Sequence, residues 1–135
     1  MIVVDTSALV AILAEEEEAS GYALLIAQAD PPLISAATLV ELDIVMFNRH
    51  GPRAASMVDG LLREAGFQVE SVTLQHAQLA REAYAAYGKG GKGGGGLNYG
   101  DCFSYALARA TDLPLLFKGR DFAETDIQSA AKIAP

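Results

Sequence analysis

Four carboxylates stand at the ends or on the faces of segments that otherwise read as buried core. They are Asp5 after a short apolar run, Glu41 within an apolar stretch, Asp101 at the start of a helix-like segment and Asp121 after a second apolar run. An isolated charge in such surroundings is costly unless it is paired or bound to a metal. Four of them, each on a core element, predict one shared cation site.

Length and composition predict one compact cytosolic domain over residues 1–135. A chain of 135 residues with 51% apolar residues can bury a sizeable core. No apolar run approaches the ~18 residues of a membrane span. Asp5 breaks the apolar N-terminus, which also lacks the basic flank of a secretory signal. The single cysteine, Cys102, fits a reducing compartment and is expected to pack as a small buried hydrophobe.

The net charge of −7 argues weakly against a polyanionic partner, because nucleic-acid-binding proteins usually carry a basic surface. The four candidate ligands account for part of this charge, and bound divalent ions would offset it. The contiguous acidic block Glu15 to Glu18 could lie on a remote surface. Net charge therefore does not decide whether the chain binds nucleic acid.

Apolar runs alternate with helical patterns along the chain. Strands are predicted at 2–4, 33–34, 67–72 and 114–117, and helices at 7–13, 15–29, 35–49, 52–65, 73–87 and 99–111. The acidic block is expected in the first turn of the second helix, where the helix dipole favours carboxylates. Strands separated by helices predict the α/β class, as a three-layer sandwich with a central, mainly parallel sheet flanked by helices.

This topology brings the four carboxylates toward one place. Ligands of open α/β sheets bind outside the carboxyl ends of the strands, and Asp5 and Asp121 directly follow predicted strands. Glu41 lies one to two turns into the helix after the second strand. Asp101 lies in the first turn of a helix whose dipole keeps a carboxylate ionised. All four can therefore reach one crevice.

Each carboxylate also has an ordinary structural explanation. Asp5 could cap the first helix, and Asp101 could complete a capping box with Asn98. Glu41 could pair with a buried arginine, and Asp121 could be a turn residue. These explanations account for the acids one at a time and leave their common placement as coincidence.

Electrostatics explains why such a crevice needs a cation. Two carboxylates ~6 Å apart repel by roughly 3 kcal/mol at an effective dielectric constant of ~20. Oxygen ligands select hard cations, so Mg²⁺ is the expected ion and Mn²⁺ the alternative. The sequence has no histidine–cysteine cluster to suggest zinc. One or two hard divalent ions in a carboxylate crevice suit in-line hydrolysis of a phosphodiester.

Four segments carry these carboxylates in a recognisable order. They are Ile2-Val3-Val4-Asp5-Thr6-Ser7-Ala8-Leu9; Ser35-Ala36-Ala37-Thr38-Leu39-Val40-Glu41; Leu97-Asn98-Tyr99-Gly100-Asp101-Cys102-Phe103-Ser104-Tyr105-Ala106-Leu107-Ala108; and Leu115-Leu116-Phe117-Lys118-Gly119-Arg120-Asp121-Phe122, followed by Thr125-Asp126-Ile127. Each alone is a weak pattern. In this order and spacing they resemble the PIN-domain ribonucleases, specifically the VapC toxins of prokaryotic toxin–antitoxin modules, over nearly the whole chain.

The resemblance implies that the four carboxylates form the acidic quartet of that family. Asp5 and Asp101 would be the primary metal ligands, while Glu41 and Asp121 would hold a second ion or orient ligands and water. It further implies a metal-dependent endoribonuclease that cleaves single-stranded or loop RNA, often transfer or ribosomal RNA. Such a toxin would form a homodimer and be inhibited by a small cognate antitoxin of the VapB kind.

Four further side chains are candidates for contact with the substrate: Thr6, Ser7, Lys118 and Arg120. The resemblance implies that Thr6 or Ser7 assists through a hydroxyl hydrogen bond. Lys118 and Arg120 flank Asp121 and could touch RNA phosphates, although a solvated turn explains them equally well.

Two other features bear on the extent of the site. Asp126 is a fifth acidic candidate, for which we favour a capping role in the following turn. The segment Gly88 to Gly96 contains seven glycines and two lysines. It lacks the Ser or Thr that follows the lysine of a Walker loop, so we interpret it as a mobile connector. Its composition departs from the bulkier, more basic loop of the family, which bears on RNA binding more than on chemistry.

Two rival classes remain. A phosphotransfer module of the receiver type also combines strand-end aspartates with a lysine after a later strand, here Lys118, but it gives no role to Glu41. A catalytically inactive PIN-like protein that only binds partners would have little use for four intact acids.

Overall fold

The computed structural model describes residues 1–89 and 95–133. Its elements follow in chain order as β1 (Ile2–Val4), α1 (Thr6–Leu13), α2 (Ala19–Gln28), β2 (Pro32–Ser35), α3 (Ala36–His50), α4 (Ala54–Ala65), β3 (Gln68–Glu70), α5 (Leu74–Tyr87), α6 (Tyr99–Thr111), β4 (Leu115–Leu116) and α7 (Ala130–Ile133). Within the described ranges, every helix is too short or too polar to cross a membrane.

The four strands form one parallel sheet in the order β3-β2-β1-β4. Successive strand residues point to opposite faces, because the side-chain period of a strand is two. One face packs Val4, Ile34 and Leu116 against α1, α3 and α4, and the other packs Val3, Leu33 and Leu115 against α5 and α6. Both faces of β1, β2 and β4 are covered, which explains why these three strands are rich in buried apolar residues, whereas the edge strand β3 is largely exposed. The predicted three-layer α/β sandwich is confirmed.

The predicted second helix begins too early. Glu15 has a φ of 54°, which ends the helical backbone after α1, and the amide of Glu16 donates to the carbonyl of Ala11 at 2.9 Å. The chain then turns, and α2 starts only at Ala19. The acidic block Glu15 to Glu18 therefore forms the connection between α1 and α2, and its expected placement in the first turn of α2 is wrong.

Local capping sets the other helix ends close to their predicted places. The Ser35 hydroxyl accepts from the amide of Ala37 at the start of α3, and Thr73 caps α5 in the same way. The helix predicted to start at Pro52 is preceded by a 3₁₀ turn, so regular α4 begins at Ala54. Gly66 ends α4 in the left-handed conformation, with φ 71° and ψ 34°.

Two glycines of this region allow the effect of backbone conformation on stability to be measured apart from that of side-chain packing. A Cβ added at Gly60, inside α4, or at Gly66, at its end, would have no neighbour within 4 Å and would meet open space. Gly66→Ala should lower the free energy of unfolding by about 1 kcal/mol, because an L-residue is disfavoured in the left-handed region. Gly60→Ala should raise it by about 0.5–1 kcal/mol through better helix propensity. Urea denaturation measures both, and changes of the same sign would contradict this assignment.

Candidate active site

A cavity of about 430 Å³ opens at the carboxyl edge of the sheet. It is lined by three of the four predicted carboxylates, Asp5, Glu41 and Asp101, by the hydroxyl residues Thr6 and Ser7, and by two cations, Arg49 and Lys118. The carboxylates arrive from β1, α3 and α6, which are distant in sequence. The crevice expected from the topology is thus present, and it collects acidic, hydroxyl and basic groups.

Asp5 is the most deeply placed of the carboxylates, with 3% of its surface exposed. Its Oδ2 accepts from the Ser7 amide at 3.1 Å and from the Ser7 hydroxyl at 2.8 Å, so Asp5 also caps α1. Its Oδ1 accepts from the Ser104 hydroxyl at 2.5 Å. Burial raises the pKa of Asp5, and the hydrogen bonds from Ser104 and Ser7 oppose this rise. The carboxyl is therefore fixed in one orientation by three donors.

Glu41 reaches the cavity from the second turn of α3. The Thr6 hydroxyl donates to its Oε1 at 2.6 Å. Its Oε2 lies against Gly100, where an added Cβ would collide with the carboxyl group. Burial raises the pKa of Glu41, the Thr6 hydrogen bond lowers it, and the neighbouring charge of Asp5 raises it further. The position of the Glu41 carboxyl thus depends on the Thr6 hydroxyl of α1 and on the absence of a side chain at Gly100 of α6.

Asp101 is buried in the first turn of α6, where it forms a capping box with Asn98. Its Oδ2 accepts from the Asn98 amide at 3.0 Å, while its own amide donates to Asn98 Oδ1 at 2.9 Å. Burial, together with the smaller effect of the negative charges of Asp5, Asp121 and Glu41, raises the pKa of Asp101 to about 7, although the hydrogen bond from the Asn98 amide lowers it. The capping role and membership of the carboxylate cluster are therefore compatible.

Asp121 stands at the edge of this cluster. It is exposed in the turn after β4 and is not among the described residues that line the cavity. Its charge still contributes to the raised pKa of Asp101, so it lies within electrostatic range. A Cβ added at Gly96 would lie 3.5 Å from Asp121 Oδ1, which places the carboxyl beside the strand-like segment before α6.

The chemistry of these donors fits a hard divalent cation. Within residues 1–89 and 95–133, no three acidic, histidine or cysteine side chains already sit close enough to hold a metal. Asp101 Oδ1 and Glu41 Oε2 nevertheless accept no hydrogen bond from any described donor group. Carboxyl groups that raise each other's pKa would be relieved by a cation between them, and oxygen-only ligands select Mg²⁺-like ions. Binding would require the carboxylates to draw together.

Comparison with known proteins decides the family. Residues 2–128 match the model of the PIN domain. The chain is 47% identical over 129 residues to ribonuclease VapC28 of Mycobacterium tuberculosis, covering 96% of this chain and 97% of that protein. The chain belongs to the PIN-domain family, in its VapC ribonuclease branch. Ribonucleases VapC42 and VapC30 of Mycobacterium tuberculosis are 43% and 42% identical, each over 96% of this chain and 98% of the relative.

Solved structures show the same fold. A structure of Mycobacterium tuberculosis VapC20, described as a sarcin-ricin loop cleaving toxin, superposes with a TM-score of 0.75 at 23% identity, covering 94% of this chain and 96% of that one. A toxin–antitoxin complex from Klebsiella pneumoniae superposes with a TM-score of 0.67 at 20% identity, over 91% of each chain. The VapC-type resemblance read from the four motifs is confirmed, and with it the assignment as a toxin endoribonuclease of a toxin–antitoxin system.

The remaining residues named from the sequence lie in different situations. Thr6 and Ser7 are at the cavity, with their hydroxyls directed to Glu41 and Asp5. Lys118 lines the cavity, and its amide donates to Ser7 Oγ at 3.0 Å. Arg120 is exposed in the turn after β4. Substrate contact by these four residues stays a prediction.

Asp126 is held in a separate cluster. Its carboxyl accepts from the Tyr105 hydroxyl at 2.7 Å and lies 3.5 Å from the Arg109 guanidinium. The turn is instead capped by Thr125, whose hydroxyl accepts from the amide of Ile127. The expected capping role of Asp126 is therefore wrong, because α6 supplies two stronger partners for the carboxyl.

Part of the glycine-rich segment lies outside the described residues. At its described ends, the amide of Lys89 donates to the carbonyl of Leu97 at 2.9 Å, and the amide of Leu97 donates to the carbonyl of Tyr87 at 3.1 Å. These two bonds tie the end of α5 to the residue that precedes the capping box of α6. The predicted mobile connector at residues 90–94 stays a prediction.

Three residues of the site were missed from the sequence. Ser104 lies one turn after Asp101 and holds Asp5, and Gly100 makes room for Glu41. Arg49 lies two turns after Glu41 on the same side of α3. Helical spacing was the available signal for Ser104, at i+3 from Asp101, and for Arg49, at i+8 from Glu41. No such spacing points to Gly100.

The metal-free protein should lose stability as pH rises. The pKa of Asp101 is about 7 in the folded state against a usual value of 3.8, so between these values the folded protein keeps a proton that the unfolded chain has lost. The free energy of unfolding should therefore fall from about pH 5 to about pH 7, by up to about 1.4 kcal/mol per pH unit for one carboxyl, and level off above. Denaturation in chelator at several pH values measures this, and Asp101→Asn should flatten the profile. A free energy of unfolding that rises over this pH range in the wild-type protein would contradict the raised pKa of Asp101.

Substitution of Gly100 should lower RNA cleavage activity much more than it lowers stability. In Gly100→Ala the new methyl displaces the flexible Glu41 carboxyl from its place beside Thr6. RNA cleavage should fall by about 10- to 100-fold, as for loss of an orienting contact in a metal site, while the denaturation midpoint changes little. Gly21→Ala, on α2 with open space around it, is the matched control and should cleave normally. Normal cleavage by Gly100→Ala would show that the position of Glu41 beside Thr6 is not needed for the reaction.

Proposed function

We propose that the cavity hydrolyses phosphodiester bonds of RNA with Mg²⁺ or Mn²⁺, held by Asp5 and Asp101 together with Glu41 and Asp121. The observation that carries the proposal is that three buried or half-buried carboxylates from separate elements line one cavity, where the charge of Asp5 raises the pKa of Glu41 and of Asp101, in a chain of the VapC ribonuclease branch. PIN-domain VapC ribonucleases depend in general on divalent metal ions.

Different residues of the chain would have different roles in such a site. A divalent ion held by these carboxylates would offset the charge of the phosphodiester and lower the pKa of water. Asp5 is held by Ser7 and Ser104, so its position is fixed before substrate arrives. Asp101 is oriented by the capping box, which leaves Oδ1 directed away from the backbone of Asn98. Glu41, anchored by the Thr6 hydroxyl, orients the attacking water on the side of the cavity formed by α3.

We infer that the substrate is single-stranded or loop RNA, such as a loop of transfer or ribosomal RNA, and that the enzyme acts in the cytoplasm. The open cavity at the sheet edge gives a splayed strand access to the carboxylates. The solved neighbour described as cleaving the sarcin-ricin loop supports a ribosomal target for proteins of this fold. Net charge of −7 means that affinity for RNA must come from local cations and the metal rather than from the whole surface.

We also infer that the toxin forms a homodimer and binds a VapB-like antitoxin. An apolar row runs along the outer side of α3, where Val40, Ile44 and Phe47 are each 57% exposed. Tyr99 at the start of α6 continues this surface and is 79% exposed. Contiguous apolar surface of this kind supports protein–protein contact.

The phosphotransfer alternative loses its main support. Its lysine would be Lys118, whose ammonium group is engaged by Glu16 and Glu18 on the α1–α2 connection. It also leaves Glu41 and its hydrogen bond from Thr6 without a role. RNA hydrolysis gives a role to Glu41 as well as to Asp5, Asp101 and Asp121.

Removal of either primary carboxylate should abolish cleavage. Asp5→Asn and Asp101→Asn each keep the size of the side chain and an acceptor for the capping amide, so the fold should survive. RNA cleavage with excess Mg²⁺ or Mn²⁺ should fall by more than about 100-fold, beyond the loss typical of outer-shell groups. Asp43→Asn, two residues from Glu41 and on another face of α3, is the matched control and should cleave at the wild-type rate. Wild-type cleavage by Asp5→Asn or Asp101→Asn would refute the proposed role of these residues.

A further inference from the structure

The two cations of the cavity are not equivalent. The ammonium group of Lys118 is hydrogen-bonded to Glu16 and lies 3.3 Å from Glu18, so its charge is already offset by the α1–α2 connection. An ammonium engaged by two carboxylates has one of its three donors left for a phosphate, and its charge is already offset. Lys118 therefore offers little net positive charge to an incoming RNA strand.

Arg49 is in the opposite situation. It lies in the last turn of α3, is exposed, and forms no ion pair with any residue in the described ranges. It shares one helix face with Glu41 and Val45, and all three line the cavity. The guanidinium is always protonated and matches the geometry of a phosphate with two parallel N–H donors. Among the described residues it is the cation of the cavity that remains free to bind an anion.

We infer that Arg49 binds the RNA phosphate next to the scissile one and thereby positions the strand in the cavity. Glu41 and Arg49 are eight positions apart, which corresponds to about 12 Å along the helix axis. This separation of two helical turns suits contact with a phosphate next to the one that faces Glu41. This inference rests on the proposed RNA hydrolysis. It adds a substrate-binding residue that is not one of the four carboxylates.

The α1–α2 connection then has a role in selectivity. By offsetting the charge of Lys118, Glu16 and Glu18 leave Arg49 as the unpaired cation among the described residues that line the cavity, in a chain with a net charge of −7. A strand that places a phosphate at Arg49 is held, while one that does not meets an acidic surface. The connection thus opposes nonspecific binding of RNA.

Steady-state cleavage of a short single-stranded RNA by the full chain with Mg²⁺, at several salt concentrations, tests this inference. Arg49→Gln should raise KM by about tenfold, leave kcat within about twofold, and reduce the slope of log(kcat/KM) against log[salt] by about 0.7, the value for one phosphate contact of a single strand. Arg49→Lys should restore most of the salt slope. A purely structural role at the end of α3 would change the melting temperature and leave the salt slope intact.

Matched variants separate this inference from the proposed function. Arg63→Gln, in the exposed last turn of α4, should change KM by less than about twofold. The double variant Glu16→Gln/Glu18→Gln should lower KM and steepen the salt slope, because Lys118 becomes available. Wild-type KM and slope in Arg49→Gln, or an equal loss in Arg63→Gln, would overturn the inference while leaving hydrolysis intact. An inactive wild-type enzyme would instead refute the proposed function.

Discussion

The carboxylate cluster at the sheet edge is the interaction on which the rest of the structure depends. Asp5, Glu41 and Asp101 carry like charges in a partly buried cavity, and burial and mutual repulsion raise the pKa of Glu41 and Asp101. Such a group would not persist without local compensation. Hydroxyl and amide donors supply it: among the described residues, every deeply buried carboxyl oxygen has a hydrogen-bond partner.

The parallel sheet explains how residues so far apart in sequence meet. The order β3-β2-β1-β4 puts the ends of β1 and β4 side by side, so Asp5 and the turn that bears Asp121 emerge at one edge. Helix capping then fixes the orientation of two of the carboxyl groups. Asp5 caps α1, and Asp101 belongs to the capping box of α6. The capping roles of Asp5 and Asp101 are therefore compatible with the proposed metal-binding roles, because a cap fixes the orientation that a ligand needs.

Much of this arrangement could be predicted from the sequence because it is encoded locally. Apolar runs marked the strands, Ser35, Thr73 and Asn98 marked helix starts, and Asp5 and Asp101 stood at element ends. What could not be predicted depends on contacts across the fold. The Ser104 bond to Asp5 spans 99 residues, and the space that Gly100 leaves for Glu41 exists only once α3 and α6 pack. The left-handed Glu15 likewise turned an apparently helical acidic block into a connection that reaches Lys118.

The central claim is that these carboxylates form one cation site. Anomalous scattering from crystals of the protein soaked with Mn²⁺ tests it most directly. The account predicts a peak between Asp5 and Asp101, with a carboxylate oxygen of each residue at about 2 Å and Glu41 or Asp121 nearby. Peaks confined to the acidic connection Glu15 to Glu18, or no peak at the sheet edge at saturating Mn²⁺, would contradict it.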